Sequence, residues 1–322
     1  MRYKKLGRTD IQISQLSLGT MTVLRGGAIA EKLRLYDAAL DHGINYFDTS
    51  DNYENGESEK FLGAFLKDKD RSKIYIGTKC FFPKPEYPSG GLTRENITET
   101  VERSLQRMDT EYIDLFYCHR YDKNTPVLET ITAIQSLIDQ GKIRYWGISS
   151  FSTVQLCEIY YTAREMGCQL PSVGQYPYNL FNRTIEMDIK EAIAKMEVGV
   201  IGYYPLAQGV LTGKYGTGHN GENRASDPVL KKQMWDLSED KLTKVSAFVK
   251  LAASLGVSAA ALALRWCLHY DAVCSTLSNV NNFDQLQQNL EFISVDLSPS
   301  VIAELESIFH NAPVNPYTGQ KF

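Results

Sequence analysis

The chain has no apolar run of the roughly 18 residues that a membrane-spanning helix needs. Its opening, MRYKKLGRTDIQIS, has no apolar core of a secretory leader. There is no basic excess. The 34 Lys and Arg stand against 38 Asp and Glu, a net charge of −4, so neither nucleic acid nor membrane insertion is expected. Cys80, Cys118, Cys157, Cys168, Cys267 and Cys274 form no Cys-x-x-Cys and no Cys/His cluster of zinc-binding spacing. No metal site is indicated, and such scattered thiols are expected to be reduced in a cytoplasmic protein. No linker, low-complexity tract or repeat beyond strand–helix alternation divides the 322 residues, so one domain over 1–322 is expected. No G-x-G-x-x-G follows the first strand-like run, which leaves the Rossmann route to a dinucleotide unsupported.

What is present is alternation. YKKLGRTDIQIS reads as a hairpin about a Gly7–Asp10 turn, and ISQLSLGT as the first buried strand. Seven more strand-like runs follow: INYFDTS, KIYIGTK, YIDLFYCHR, RYWGISS, PSVGQYPY, VGVIGYYPL and AVCSTLSN. Between them lie helical segments. One is expected near 29–43, stopped by Gly43. Another is capped by Thr93, a third runs from Pro126 to Gly141, and a fourth reads IEMDIKEAIAKMEV. The expected class is α/β, a closed (β/α)8 TIM barrel. An N-terminal β-hairpin, a long loop after the seventh strand and a C-terminal helix and tail account for the surplus length. That loop, a polar stretch near 213–236, is expected to be a lid over the active face.

Parallel barrels place their chemistry at the C-terminal ends of their strands. Asp48, Tyr53, Lys79 and His119 sit at or just beyond three such ends, so they are expected to share one pocket. An ammonium near a phenol stabilises phenolate, and a carboxylate keeps the ammonium charged. Such a Tyr can pass a proton, as carbonyl reduction requires. Cys80 and Cys118 adjoin two of these residues but face the other side of their strands, as core thiols.

The local motifs LGTMT at 18–22, FDTSDNYENGESE at 47–59, GTK at 77–79, LFYCHR at 115–120, GISSF at 147–151, GQYPYN at 174–179, YYPLAQGVLTGKY at 203–215 and DQLQQN at 284–289 resemble the aldo-keto reductases over nearly the whole chain. RYWGISSFSTVQL and RAS at 224–226 are most similar to the branch of voltage-gated potassium channel β subunits and their microbial oxidoreductase relatives. The resemblance implies a catalytic tetrad of Asp48, Tyr53, Lys79 and His119. Tyr53 would be the general acid, with its pKa lowered by Lys79, and His119 would orient the carbonyl. It implies NADP(H), with NAD(H) not excluded, and a small carbonyl substrate.

Coenzyme residues carry over likewise. Gly19, Thr20 and Met21 lie beside the nicotinamide and Ser149, Ser150 and Gln175 at its carboxamide, with Asp48 counted among the coenzyme residues as well. Tyr203 would stack on the ring. Tyr204, Leu206, Gln208, Gly209 and Lys214 would line the pyrophosphate, and Gln285 and Asn289 the adenosine end. The strand end Ser278-Asn279-Val280-Asn281-Asn282 lacks the cation many relatives place near the 2′-phosphate, so Arg224 is expected to supply it. Channel β subunits have Asn where this chain has His119. That difference favours a working reductase over a regulatory, redox-sensing subunit. A nucleotide-linked keto-sugar is an alternative substrate, with Lys84, Arg120 and Lys123 as candidate diphosphate contacts. Phe81, Phe82, Tyr87, Tyr121 and Tyr178 are candidate substrate walls, and a homo-oligomer is left open.

Overall fold

The computed structural model describes residues 1–85, 87–216 and 237–311. Strands β1 (Tyr3–Lys5) and β2 (Gln12–Ser14) pair antiparallel as the hairpin. The barrel strands are β3 (Leu16–Gly19), β4 (Tyr46–Asp48), β5 (Tyr75–Cys80), β6 (Ile113–Cys118), β7 (Ile143–Ser149), β8 (Val173–Pro177), β9 (Gly199–Tyr203) and β10 (Val273–Ser278). Every neighbouring pair is parallel, and β10 pairs with both β9 and β3 to close the barrel. Both faces of such a sheet are covered, so its strands read as near-continuous apolar runs. All six residues of β6 are buried.

Helices wrap the outside: α1 (Ile29–Asp41), α2 (Glu57–Leu66), α3 (Arg94–Met108), α4 (Val127–Asp139), α5 (Thr153–Glu165), α6 (Thr184–Met187), α7 (Lys190–Lys195), α8 (Glu239–Ser254), α9 (Ala259–Cys267), α10 (Phe283–Leu290) and α11 (Pro299–Phe309). Local chemistry starts them. Thr93 Oγ1 accepts from Asn96 N at 3.2 Å, and Ser152 forms a reciprocal capping box with Gln155. The helix expected across IEMDIKEAIAKMEV is broken into α6 and α7. At the break, Thr153 at the start of α5 donates to the Asp188 carbonyl at 2.5 Å, tying that turn to the neighbouring helix. Much of the stretch expected to form a lid, residues 217–236, lies outside the described residues, as does Arg224.

The strand–helix interface holds the main core, including Tyr36, Phe47, Phe65 and Trp146. Each such side chain contributes about 1.5–3 kcal/mol by burial. Cys80 and Cys118 belong to this outer core. Inside the barrel a second cluster forms, where Leu6, Ile11 and Ile13 of the hairpin meet Tyr46, Leu115, Tyr117, Val173 and Ile201. The hairpin therefore plugs one end, and the ends of the strands bearing Asp48 and Lys79 face the other. Gly77 makes room inside, since a Cβ there would stand 2.0 Å from the Tyr46 hydroxyl.

Candidate active site

Asp48 ends β4 and Lys79 lies near the end of β5. The two strands are adjacent, with Asp48 opposite Gly77. Both residues are 1% exposed, and Lys79 Nζ forms an ion pair with Asp48 Oδ1. Lys79 also donates to the Thr49 carbonyl at 2.6 Å. The other carboxylate oxygen of Asp48 accepts from the Tyr46 hydroxyl at 2.9 Å and from Gln175 Nε2 at 2.5 Å. A buried ion pair is tolerable only when its remaining donors and acceptors are bonded in this way. Burial pulls the Lys79 pKa down while Asp48 opposes that shift.

Tyr53 opens a short turn, Tyr53–Gly56, after β4, and its ring lies 5.0 Å from Lys79 Nζ. The phenol is pushed well above its ordinary pKa, first by burial and then by the Asp48 carboxylate, with Arg120 working the other way. The expected lowering by Lys79 is thus not what this structure gives. The ammonium is bonded to Asp48, so burial and that carboxylate dominate, and Tyr53 keeps its proton at neutral pH. His119 follows β6, edge-on to Tyr53 with 6.0 Å between ring centroids. Its Nδ1 is 3.2 Å from Ser50 Oγ. Burial, then the Lys79 and Arg120 cations, depress its pKa well below the usual histidine value, so the imidazole is neutral.

All four residues line one cleft of about 1710 Å3. Gly19, Met21, Ser149, Gln175, Tyr203, Tyr204, Leu206, Gln208, Gly209, Lys214, Gln285 and Asn289 line it too. Thr20 and Ser150 do not. Thr20 is fully buried, with its backbone N–H and hydroxyl both bonded to the Asp48 carbonyl. Ser150 has φ +57° and shares a 2.9 Å hydrogen bond with the Tyr203 hydroxyl. Both act on site residues from behind. Asn289 Nδ2 donates to Ser278 Oγ at 3.2 Å.

After β9 the backbone is left-handed at Tyr204 (+56°), Ala207 (+48°), Gln208 (+60°) and Gly209 (+90°). Such conformations cost a non-glycine residue about 1–3 kcal/mol and gather at functional sites. Within the turn Ala207 N donates to the Tyr204 carbonyl at 2.8 Å and Gly209 N to the Leu206 carbonyl at 2.9 Å, which holds the left-handed backbone in place. Three of the four residues line the cleft beside the tetrad.

Sequence reasoning missed the residues that hold the tetrad. Tyr46 and Tyr117 share a 3.1 Å hydrogen bond beneath Asp48, and Ser50 positions His119. On the sequence these read as strand and loop residues. Of the aromatic wall candidates only Phe82 lines the cleft, edge-on to His119 at 4.8 Å. Tyr178 is buried on Glu186, Tyr121 bonds Glu158, Tyr87 bonds Thr93, and Phe81 lies outside the lining. Lys84 is buried in an ion pair with Asp51 at 2.6 Å, and Lys123 is absent from the lining, so Arg120 alone of the three basic candidates faces the cleft. Among the described residues no Asp, Glu, His or Cys group could hold a metal ion, and no single helix is long and apolar enough to cross a membrane.

Residues 15–310 match the aldo/keto reductase family. A protein of Arabidopsis thaliana, "Probable voltage-gated potassium channel subunit beta", is 34% identical over 324 residues, covering 98% of this chain and 99% of that relative. A protein of the same name from Oryza sativa subsp. japonica is 35% identical over 321 residues, covering 97% and 98%. The chain belongs to the aldo/keto reductase family, whose members are NAD(P)H-dependent oxidoreductases on a TIM barrel.

Proposed function

We propose that the chain reduces an aldehyde or ketone to an alcohol with NADP(H), Tyr53 giving the proton. The observation that carries this reading is convergence. A protonated phenol, a buried Lys79–Asp48 pair and a neutral imidazole line one cleft beside a left-handed backbone cradle. The residues fit a dinucleotide. The left-handed turn, with Gly209 in it, lets a pyrophosphate approach the backbone beside Lys214, and Tyr203 offers a ring face to a flat heterocycle. Ser149 and Gln175 offer polar atoms beside it, with Gln175 Nε2 spent on Asp48 and Oε1 left to accept. When bound, the coenzyme supplies the hydride.

The chain's own residues manage the oxygen. Tyr53 Oη donates its proton to the carbonyl oxygen as charge develops there. His119, neutral and anchored through Nδ1 by Ser50, presents its other ring nitrogen to the same oxygen. Lys79 stabilises the phenolate left behind, and Asp48 keeps Lys79 charged. Phe82 gives the substrate an apolar wall. A single-domain chain located in the cytoplasm is part of this proposal.

A second reading is a regulatory, redox-sensing subunit that binds the coenzyme; the two plant relatives are named as probable voltage-gated potassium channel subunits beta. A keto-sugar on a nucleotide carrier is less favoured, because only Arg120 among the three basic candidates faces the cleft. The test is NADPH oxidation, followed by absorbance, against a panel of aldehydes, ketones and a nucleotide-linked keto-sugar. Steady turnover of a simple carbonyl is expected. Tight coenzyme binding with no turnover of any carbonyl would replace this reading with the regulatory one.

A further inference from the structure

Beyond the tetrad the cleft reaches the start of α1 and the connection from β10 to α10, and there it holds a buried lysine. Lys32 is 5% exposed and lines the cleft with Gly27, Asn281, Asn282 and Gln285. Its Nζ donates to the Asn281 carbonyl at 2.8 Å, a contact made across 249 residues of chain. An ammonium has three protons to donate. No carboxylate among the described residues lies within 4.0 Å of this one. Glu31 and Asp284 also line this end. Glu31 acts to raise the Lys32 pKa, but burial outweighs it and the net shift is downward.

Charges withdrawn from water are ordinarily paired. With Glu31 and Asp284 nearby but no carboxylate in ion-pair contact, the Lys32 ammonium is open to an anionic group in the cleft. Its neighbours are donors as well. Asn282 Oδ1 accepts from Gln285 N at 2.9 Å, and Gln285 Oε1 accepts from Asn281 N at 2.8 Å. Both side-chain oxygens are therefore spent, and the amide NH2 groups remain. The α1 N-terminus has no side-chain cap at Ala28, so its first N–H groups add positive potential.

We propose that Lys32 reads the phosphate monoester on the adenosine ribose of the coenzyme, and so sets preference for NADP(H) over NAD(H). This rests on the dinucleotide reading above. A dinucleotide with its nicotinamide at Tyr53 runs along the cleft and brings its adenosine to this end. The connection after β10 carries amides but no cation of its own, and Lys32 of α1 supplies the charge from the other side of the cleft.

The test is calorimetric binding at fixed ionic strength. The probes are NADP+, NAD+, adenosine 2′,5′-bisphosphate and ADP, with the wild type, Lys32→Gln and Lys32→Arg. Lys32→Gln should weaken NADP+ and the bisphosphate by about 10- to 100-fold, the loss of a charge-assisted hydrogen bond. NAD+ and ADP should change by less than about twofold, and Lys32→Arg should retain most of the NADP+ affinity because the charge is kept. Equal losses for both dinucleotides, or no loss, would overturn the assignment. The wild type provides a check that needs no variant: it must bind adenosine 2′,5′-bisphosphate at least about tenfold tighter than ADP. No such preference would also overturn it. Binding of neither dinucleotide would overturn the coenzyme reading and this inference together. Binding of both with no discrimination at Lys32 would overturn the inference alone.

Discussion

Asp48→Asn isolates the buried pair at the base of the site. The wild-type carboxylate accepts from three donors: Lys79, Tyr46 and Gln175. Asparagine has one acceptor oxygen and presents an NH2 where the second oxygen stood. Tyr46 and Gln175 both donate to Oδ2 and Lys79 to Oδ1, so the new NH2 faces either those two donors or the Lys79 ammonium. Lys79, 1% exposed, becomes a buried cation without its anion. Removing one partner of a buried pair costs about 3–5 kcal/mol, which includes the stranded charge. For a chain of 322 residues that lowers the Tm by about 4–7 °C.

The pH dependence follows from the sign of the Lys79 shift. The folded-state pKa lies below the ordinary lysine value, because burial outweighs Asp48. The unfolded chain therefore binds more protons in the interval between the two values, and stability rises with pH there. Without Asp48 the folded value falls further and the interval widens. The deficit of Asp48→Asn should accordingly be smaller at about pH 9.5 than at pH 7, since the stranded lysine can fold neutral at small cost as pH nears its unfolded value of about 10.4. Thermal unfolding of both proteins at the two pH values measures this. A deficit under about 1 kcal/mol, or one that does not shrink at high pH, would refute the stranded-charge account.

Carbonyl reduction should have no acidic inflection near pH 6.5, because burial and the Lys79 and Arg120 cations keep His119 neutral well below that point. Alcohol oxidation, which needs the Tyr53 phenolate, should keep rising with pH, because burial and Asp48 push that pKa up. A kcat/KM profile for reduction with a midpoint at the ordinary histidine value would contradict the first statement. Ser50→Ala removes the anchor on His119 Nδ1 and should lower kcat/KM by about 3- to 12-fold, the equivalent of one hydrogen bond, with coenzyme affinity unchanged. Ser50→Thr should restore it. Equal activity of Ser50→Ala and wild type would remove Ser50 from the site.

The barrel was readable because a parallel sheet covered on both faces writes itself as apolar runs ending in polar residues, as KIYIGTK does. Single-residue cap chemistry was readable for the same local reason, as Thr93 shows. What escaped depends on contacts between distant segments. Lys32 reads as an ordinary surface lysine of a helix, and only its partner Asn281, far along the chain, reveals it as buried. Thr20 matched a coenzyme loop but turned behind Asp48, because its own N–H and hydroxyl are claimed by that residue's carbonyl. The Tyr53 pKa lies on the other side of its ordinary value from the expectation because burial of the phenol, which the sequence does not show, comes first and the Asp48 carboxylate adds to it. The break between α6 and α7 carries a hydrogen bond from the neighbouring helix, a contact that periodicity does not show.

The central claim is that Tyr53 is the proton donor in a reductase. Tyr53→Phe removes one oxygen and leaves the Lys79–Asp48 pair, His119 and the coenzyme cradle in place. Turnover of a simple aldehyde should fall by about 10²-fold or more, the usual contribution of a general acid, while NADPH affinity stays within about twofold. Near wild-type turnover in Tyr53→Phe, with the coenzyme bound equally well, would contradict the account.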